Sequence, residues 1–235
     1  MGAPYYQFCP VAKAMELLDE RWTMLLMREM LLGTEHFNEL RRGLPRMSPT
    51  LLSRRLEQLC RACLIDRVVD EGGVRYVLTS AGRELQPVVE QLSAWGVRWI
   101  GELGEADLDP RLLLWDMHRN VDLSAVPNGR TVIALRFPDA RPTERSWWLV
   151  IRDGEVDVCD EDPGYEPAVE IRCPLRGMTR YWRGDIEWPA LLASTEVTVS
   201  GPTELRRAWL SWFTRPDYAA VPRPSPASRA PGSGG

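Results

Sequence analysis

Apolar residues recur through the first hundred positions at the three-and-four spacing of amphipathic helices. In PVAKAMELLDE (10–20), Val11, Met15 and Leu18 fall on one face. RWTMLLMREMLLG (21–33) is more strongly apolar and stops at Gly33, a residue suited to a helix C-cap. EHFNELRRGL (35–44) is short, with Phe37 and Leu40 to bury. In the next helix, RMSPTLLSRRLEQL (46–59) and its continuation, Leu52, Leu56, Leu59, Cys60 and Cys63 form one stripe at about 100° per residue. Ser48 suits the N-cap there, and Pro49 the first helical position, where no N–H is needed. The period then changes. LIDRVVDEGGVRYVLT (64–79) holds two β-rich runs around Glu-Gly-Gly, a hairpin signal. Helical spacing returns over 80–103, with Leu85, Val89, Leu92, Trp99 and Leu103 on one side and Pro87 marking a kink or a late start.

After GEADLDP (104–110) the pattern becomes that of an α+β domain. RLLLWDMHRNV (111–121) reads as a helix, and five strands follow at RTVIALRF, RSWWLVI, GEVDVCD, AVEIRCP and TEVTVSG, spanning 130–201. Val156 and Val158, Val169 and Ile171, Val197 and Val199 point one way, while Glu155, Asp157, Glu170, Arg172, Glu196 and Thr198 point the other. This predicts an antiparallel five-stranded sheet with one wet face and one covered by the helices at 175–185, 188–194 and 202–213. Residues 219–235, rich in Pro, Ser and Gly, read as a disordered tail.

Charge sharpens the picture of the first half. The formal net charge is −4, which argues against a general nucleic-acid coat protein. Residues 1–100 carry +1 and the remainder −5. Yet from Arg41 to Arg55 there are five arginines (41, 42, 46, 54, 55) and no acid. A solvated helix face ordinarily mixes signs, so this local patch is where DNA would be met. With one lysine and two histidines, neither GxxxxGK[ST] nor GxSxG occurs and a His-rich metal site is excluded. The one C-x-x-C, Cys60 to Cys63, lacks a second pair, so both thiols are assigned to the core and no metal or cofactor is expected. No apolar run approaches the roughly 20 residues needed to cross a bilayer, so a cytoplasmic protein without a membrane partner is expected.

Helix, helix, tight turn, helix, hairpin is the order of a winged helix-turn-helix, whose second helix of the pair enters the major groove. Thr50, Ser53 and Arg54 then face base edges from a helix started at Ser48, and Arg41, Arg42, Arg55 and the hairpin's Arg75 neutralise phosphate. The alternative is a surface helix with solvated arginines. The blocks CPVAKAMELLDERWTMLLMREMLLG, FNELRRGLP, SPTLLSRRLEQL and YVLTSAGREL, in that order over about residues 8–100, resemble the HxlR-type winged-helix regulators of bacteria. The resemblance implies a homodimeric regulator bound to double-stranded DNA. Cys63-Leu64 stands where that family usually has Gly-Leu, so the helix is expected to end differently.

Residues 110–213 resemble a sterol-carrier-type lipid-binding domain, chiefly in the sheet followed by LRGMTRYWRGD and VTVSGPTELRRAWLSWF. The resemblance implies an apolar cavity, and Trp115, Trp147, Trp148, Trp182, Trp188 and Trp209 are its candidate lining. The competing reading has them fill a core or a dimer interface. No catalytic constellation is present. Three functions fit: a regulator sensing a small apolar ligand; a redox- or electrophile-responsive regulator; and a lipid carrier or enzyme with secondary DNA binding. The second rests on Cys9 in FCPVAKA, which matches the reactive cysteine of some members of the resembled family.

Overall fold

The computed structural model describes residues 4–100, 103–194 and 196–224. The chain forms two compact units, Met1–Ser93 and Ala94–Gly235. The division falls inside a helix rather than in the 104–110 stretch.

The first unit opens with α1 (Pro10–Leu18) and α2 (Thr23–Leu31), joined through Trp22, whose φ is +80°. Next come α3 (Phe37–Gly43) and α4 (Pro49–Arg61). Leu26, Met27, Leu40, Leu52, Leu56 and Leu59 meet in one buried core, so the periodic apolar positions of α2, α3 and α4 face one another. β1 (Ile65–Asp70) and β2 (Gly73–Leu78) form an antiparallel hairpin in register from Ile65↔Leu78 to Asp70↔Gly73. A bridge from His36 to Arg75 docks the segment before α3 on this wing.

α4 ends in a left-handed residue after all. Cys63 has φ +57°, and the N–H groups of Cys63 and Leu64 donate to the carbonyls of Cys60 and Leu59, both at 3.0 Å. That is a Schellman ending, built with cysteine where glycine is usual. Cys63 is therefore exposed and not part of the core; Cys60 is half-buried. The hydroxyl of Thr79 donates to the Cys63 carbonyl at 2.7 Å and accepts from the Gly82 N–H at 3.2 Å. A Cβ on Gly82 would lie 2.1 Å from the Leu64 carbonyl oxygen, so only glycine fits this crossing. The expected single helix over 80–103 is instead α5 (Ser80–Arg83) and α6 (Gln86–Trp99), separated just before Pro87. Residues 101–102 lie outside the described residues.

The second unit begins within α6 and continues with α7 (Pro110–Arg119). β3 (Thr131–Arg136), β4 (Ser146–Arg152), β5 (Glu155–Cys159) and β6 (Val169–Arg172) precede α8 (Leu175–Trp182) and α9 (Trp188–Leu192). β7 (Thr198–Ser200) and α10 (Thr203–Ala208), which runs into a 3-10 turn over Trp209–Trp212, complete it. The sheet order is β5-β4-β3-β6-β7. It is mixed rather than antiparallel, because β6 pairs with β3 in parallel. After β5 the chain passes to the other side of β3 and re-enters in the direction of β3. Leu113, Leu114, Met117, Met178, Trp182, Leu191 and Trp209 join Ile133, Leu135, Leu149, Val169 and Ile171 in one core, so helices and one sheet face bury each other. The opposite face is not uniformly wet: Val132, Ala134, Trp148 and Val150 are buried there, and Arg136 stacks 4.5 Å from the Trp148 ring centre. The expected tail is ordered at its start. Asp217–Ala220 form a 3-10 turn, and Arg223 donates to Asp185 at 2.9 Å. Residues 225–235 lie outside the described residues.

Candidate nucleic-acid interface

The helix-turn-helix pair is α3 and α4, with Leu44 and Met47 buried in the turn between them. The Ser48 hydroxyl accepts the Leu51 N–H at 3.3 Å, and Pro49 occupies the first turn, so α4 starts abruptly at the surface. Thr50, Ser53 and Arg54 are exposed on its N-terminal half, as are Arg41, Arg42 and Arg46 on α3 and the turn. The acid of α4 stands at its far end, where Glu57 pairs with Arg61 one turn on. The N-terminal half of α4 and the end of α3 thus present exposed hydroxyls and guanidinium groups from a stretch, Arg41 to Arg55, that holds no acid in sequence, a surface suited to phosphate and base edges.

Two predicted contacts take other roles. Arg55 is 5% exposed, donating to Glu20 at 2.5 Å and to Gln58 at 2.6 Å. It follows Arg54 by one residue, and that rotation brings it beside Leu52, Leu56 and Leu59. Arg75 is held by two carboxylates, Asp70 at 2.7 Å and Glu35 at 2.8 Å. Its guanidinium and the Gly72 N–H hold the Asp70 carboxyl below the usual carboxylate range. The wing tip, Asp70 and Glu71, is acidic and exposed, so the wing offers phosphate little. Nothing in the sequence singles out Glu20, which stands two residues past the end of α1.

The other candidates separate. Trp147, Trp182, Trp188 and Trp209 share the core between helices and sheet, with Trp188 and Trp209 edge to face at 5.0 Å. Trp148 projects from the opposite sheet face. Trp115 stacks on His118 at 4.1 Å, outside that core cluster. Cys9 is the half-buried N-cap residue of α1. No helix among the described residues is long and apolar enough to cross a membrane.

Residues 17–103 match the model of the HxlR-like helix-turn-helix family. An uncharacterised HTH-type transcriptional regulator of Bacillus subtilis, YvaP, is 36% identical over 98 residues, which are 40% of this chain and 91% of that protein. A second uncharacterised HTH-type regulator, from Mycobacterium tuberculosis, is 41% identical over 93 residues, 38% of this chain and 58% of that protein. Among solved structures, the redox regulator HypR in its reduced form is 32% identical, with a TM-score of 0.36, over 37% of this chain and 90% of that one. These relatives are regulators. With the helix pair and wing in place, the chain belongs to the HxlR-like helix-turn-helix family of transcriptional regulators.

Proposed function

We propose that the chain binds duplex DNA as a homodimer in the cytoplasm, with α4 in the major groove, and that its second unit responds to a small apolar molecule. The exposure of Arg41, Arg42, Thr50, Ser53 and Arg54, in a stretch of sequence without an acid, carries the DNA reading. Arg54→Ala loses sequence discrimination, about 1–3 kcal/mol for one bidentate base contact. Arg41→Ala weakens every sequence alike and flattens the salt dependence. If both variants bind like wild type, the groove assignment fails. Dimerisation is supported by exposed apolar side chains on α6, Val88, Leu92, Trp95 and Trp99, at helical spacing, and by Val11 and Met15 on α1. Sedimentation at micromolar concentration tests it, and a monomer overturns it.

A second reading makes the regulator redox-responsive through Cys9, in reach of solvent at the start of α1. A mild electrophile then changes DNA affinity in wild type and not in Cys9→Ser. Equal responses dismiss this role for Cys9.

A further inference from the structure

We infer that Arg55 and Glu20 form a positioning pair that sets the stance of α4 on the α1–α2 corner, and through it what Arg54, Thr50 and Ser53 read. The inference rests on the DNA-binding reading for its readout, but the pair itself is a feature of the fold. Arg55 belongs to the reading helix yet is buried at 5% exposure, and its carboxylate partner lies 35 residues away, just after α1. Gln58, one turn along α4, fixes the second guanidinium nitrogen at 2.6 Å. The third donor, Nε, has no partner among the described residues. A cavity of about 10 Å³ lies alongside, lined by Leu17, Glu20, Thr23, Arg55, Gln58 and Leu59, which is space for about one water.

The geometry distinguishes a positioning pair from a strut that merely stabilises. A buried ion pair with an unsatisfied donor is a poor source of stability, and well-packed apolar residues in its place commonly do as well or better. Its effect is directional. Removing Glu20 leaves the Arg55 charge buried and unpaired, and a shift of α4 on α1–α2 that parts the two has the same effect. The corner that presents Glu20 is itself tightly determined: Trp22, two residues on, is held at φ +80°, a conformation rare for a bulky side chain, with Arg21 5.5 Å from its ring centre. On the other side of Glu20, Asp19 accepts the Tyr5 hydroxyl at 2.6 Å, tying the N-terminal arm to the same corner. Glu20 lies between α1 and α2, outside α3 and α4, and its contact with the reading helix is through Arg55.

The test uses the full chain, a duplex selected by the wild-type protein from a randomised pool, and a scrambled duplex of equal composition. Glu20→Gln, Arg55→Met and the double variant Glu20→Leu/Arg55→Met are compared for the affinity ratio of the two duplexes, thermal midpoint and amide exchange along α4 without DNA. The expected result is a loss of discrimination of about tenfold in all three, with the double variant no worse than the singles. The double variant keeps or exceeds the wild-type midpoint, and α4 amides exchange faster in Glu20→Gln. Wild-type discrimination in Glu20→Gln or in the double variant, or unchanged α4 exchange, overturns the inference. So does a loss in Arg55→Met alone with a shallower salt slope, which would make Arg55 a phosphate contact. A wild-type chain that selects no duplex defeats the DNA-binding reading instead, and the exchange measurement still decides the pair.

Discussion

Cys63 holds a backbone conformation that glycine adopts freely and cysteine does not. Its side chain is exposed, so little packing offsets the strain. Cys63→Gly is expected to raise stability by roughly 1 kcal/mol, the lower end of the left-handed penalty for a residue with a Cβ. A higher urea midpoint at unchanged slope checks it; a lower midpoint refutes it. The opposite substitution at Gly82 should be severe, because a Cβ there meets the Leu64 carbonyl oxygen at 2.1 Å. These two residues mark a limit of sequence reading. A periodic pattern placed Cys63 on the apolar stripe, but the stripe ends where the helix does, and the residue after the C-cap Ala62 points to solvent. Arg55 fails for a related reason: charge suggested exposure, while its angular position beside Leu52, Leu56 and Leu59 dictated burial. A carboxylate supplied from a distant segment, Glu20, together with the Gln58 side chain, makes that burial tolerable.

The wing is acidic at its tip where the exposed surface of the helix pair is basic. Asp70 and Glu71 form its tip, and Arg75 is already bound to Asp70 and Glu35. Replacing Asp70 and Glu71 with Asn and Gln should raise affinity for all duplexes and steepen the salt dependence, since Arg75 then has one carboxylate fewer to satisfy. Unchanged affinity in a filter-binding titration would show that the wing does not approach the phosphates. Elements of this kind were legible because alternation and turn residues are local: four strands of the second unit lie within the segments predicted for them, and β4 passes the end of RSWWLVI by one residue, Arg152. Neighbour order was not. Alternation assigns each strand a face but not a partner, and β6 has the same inward Val169 and Ile171 whether it pairs with β3 in parallel or with β5 in antiparallel. The same blindness grouped six tryptophans that the sheet divides, since Trp147 and Trp148 are consecutive in β4 and necessarily face opposite ways.

At the scale of the whole chain, the two units have separate cores. The buried cluster around Leu26, Leu52 and Leu59 shares no residue with the larger one around Leu114, Ile133 and Trp209. Separate cores predict separate unfolding, and Cys173 reports on the second unit. Cys63 is exposed in the first unit, whereas Cys173 in the second is fully buried, its thiol pushed up to about 12 by the loss of solvation and by the nearby Asp139 carboxylate. Cys173 should therefore resist alkylation until the second unit opens, while loss of the first unit's helices is followed by circular dichroism at lower denaturant. A single coincident transition would refute the division. The same experiment examines the ligand reading. A molecule that binds only the folded second unit shifts that unit's transition alone, by about 2.7 kcal/mol at a hundredfold excess over its Kd. A cognate duplex shifts the first. Fatty acids and polycyclic lipids are the first probes, because Trp188 packs edge to face on Trp209, and Trp182 and Trp209 both pack edge to face on Phe213, so an apolar guest must part them. If a lipid protects Cys173 and also moves the first transition, the units are coupled, since a ligand shifts only an equilibrium whose states it distinguishes. If it protects Cys173 without moving the first transition or the DNA affinity, the second unit binds lipid but does not regulate. If no lipid protects Cys173, the tryptophans are core, and the second unit serves assembly.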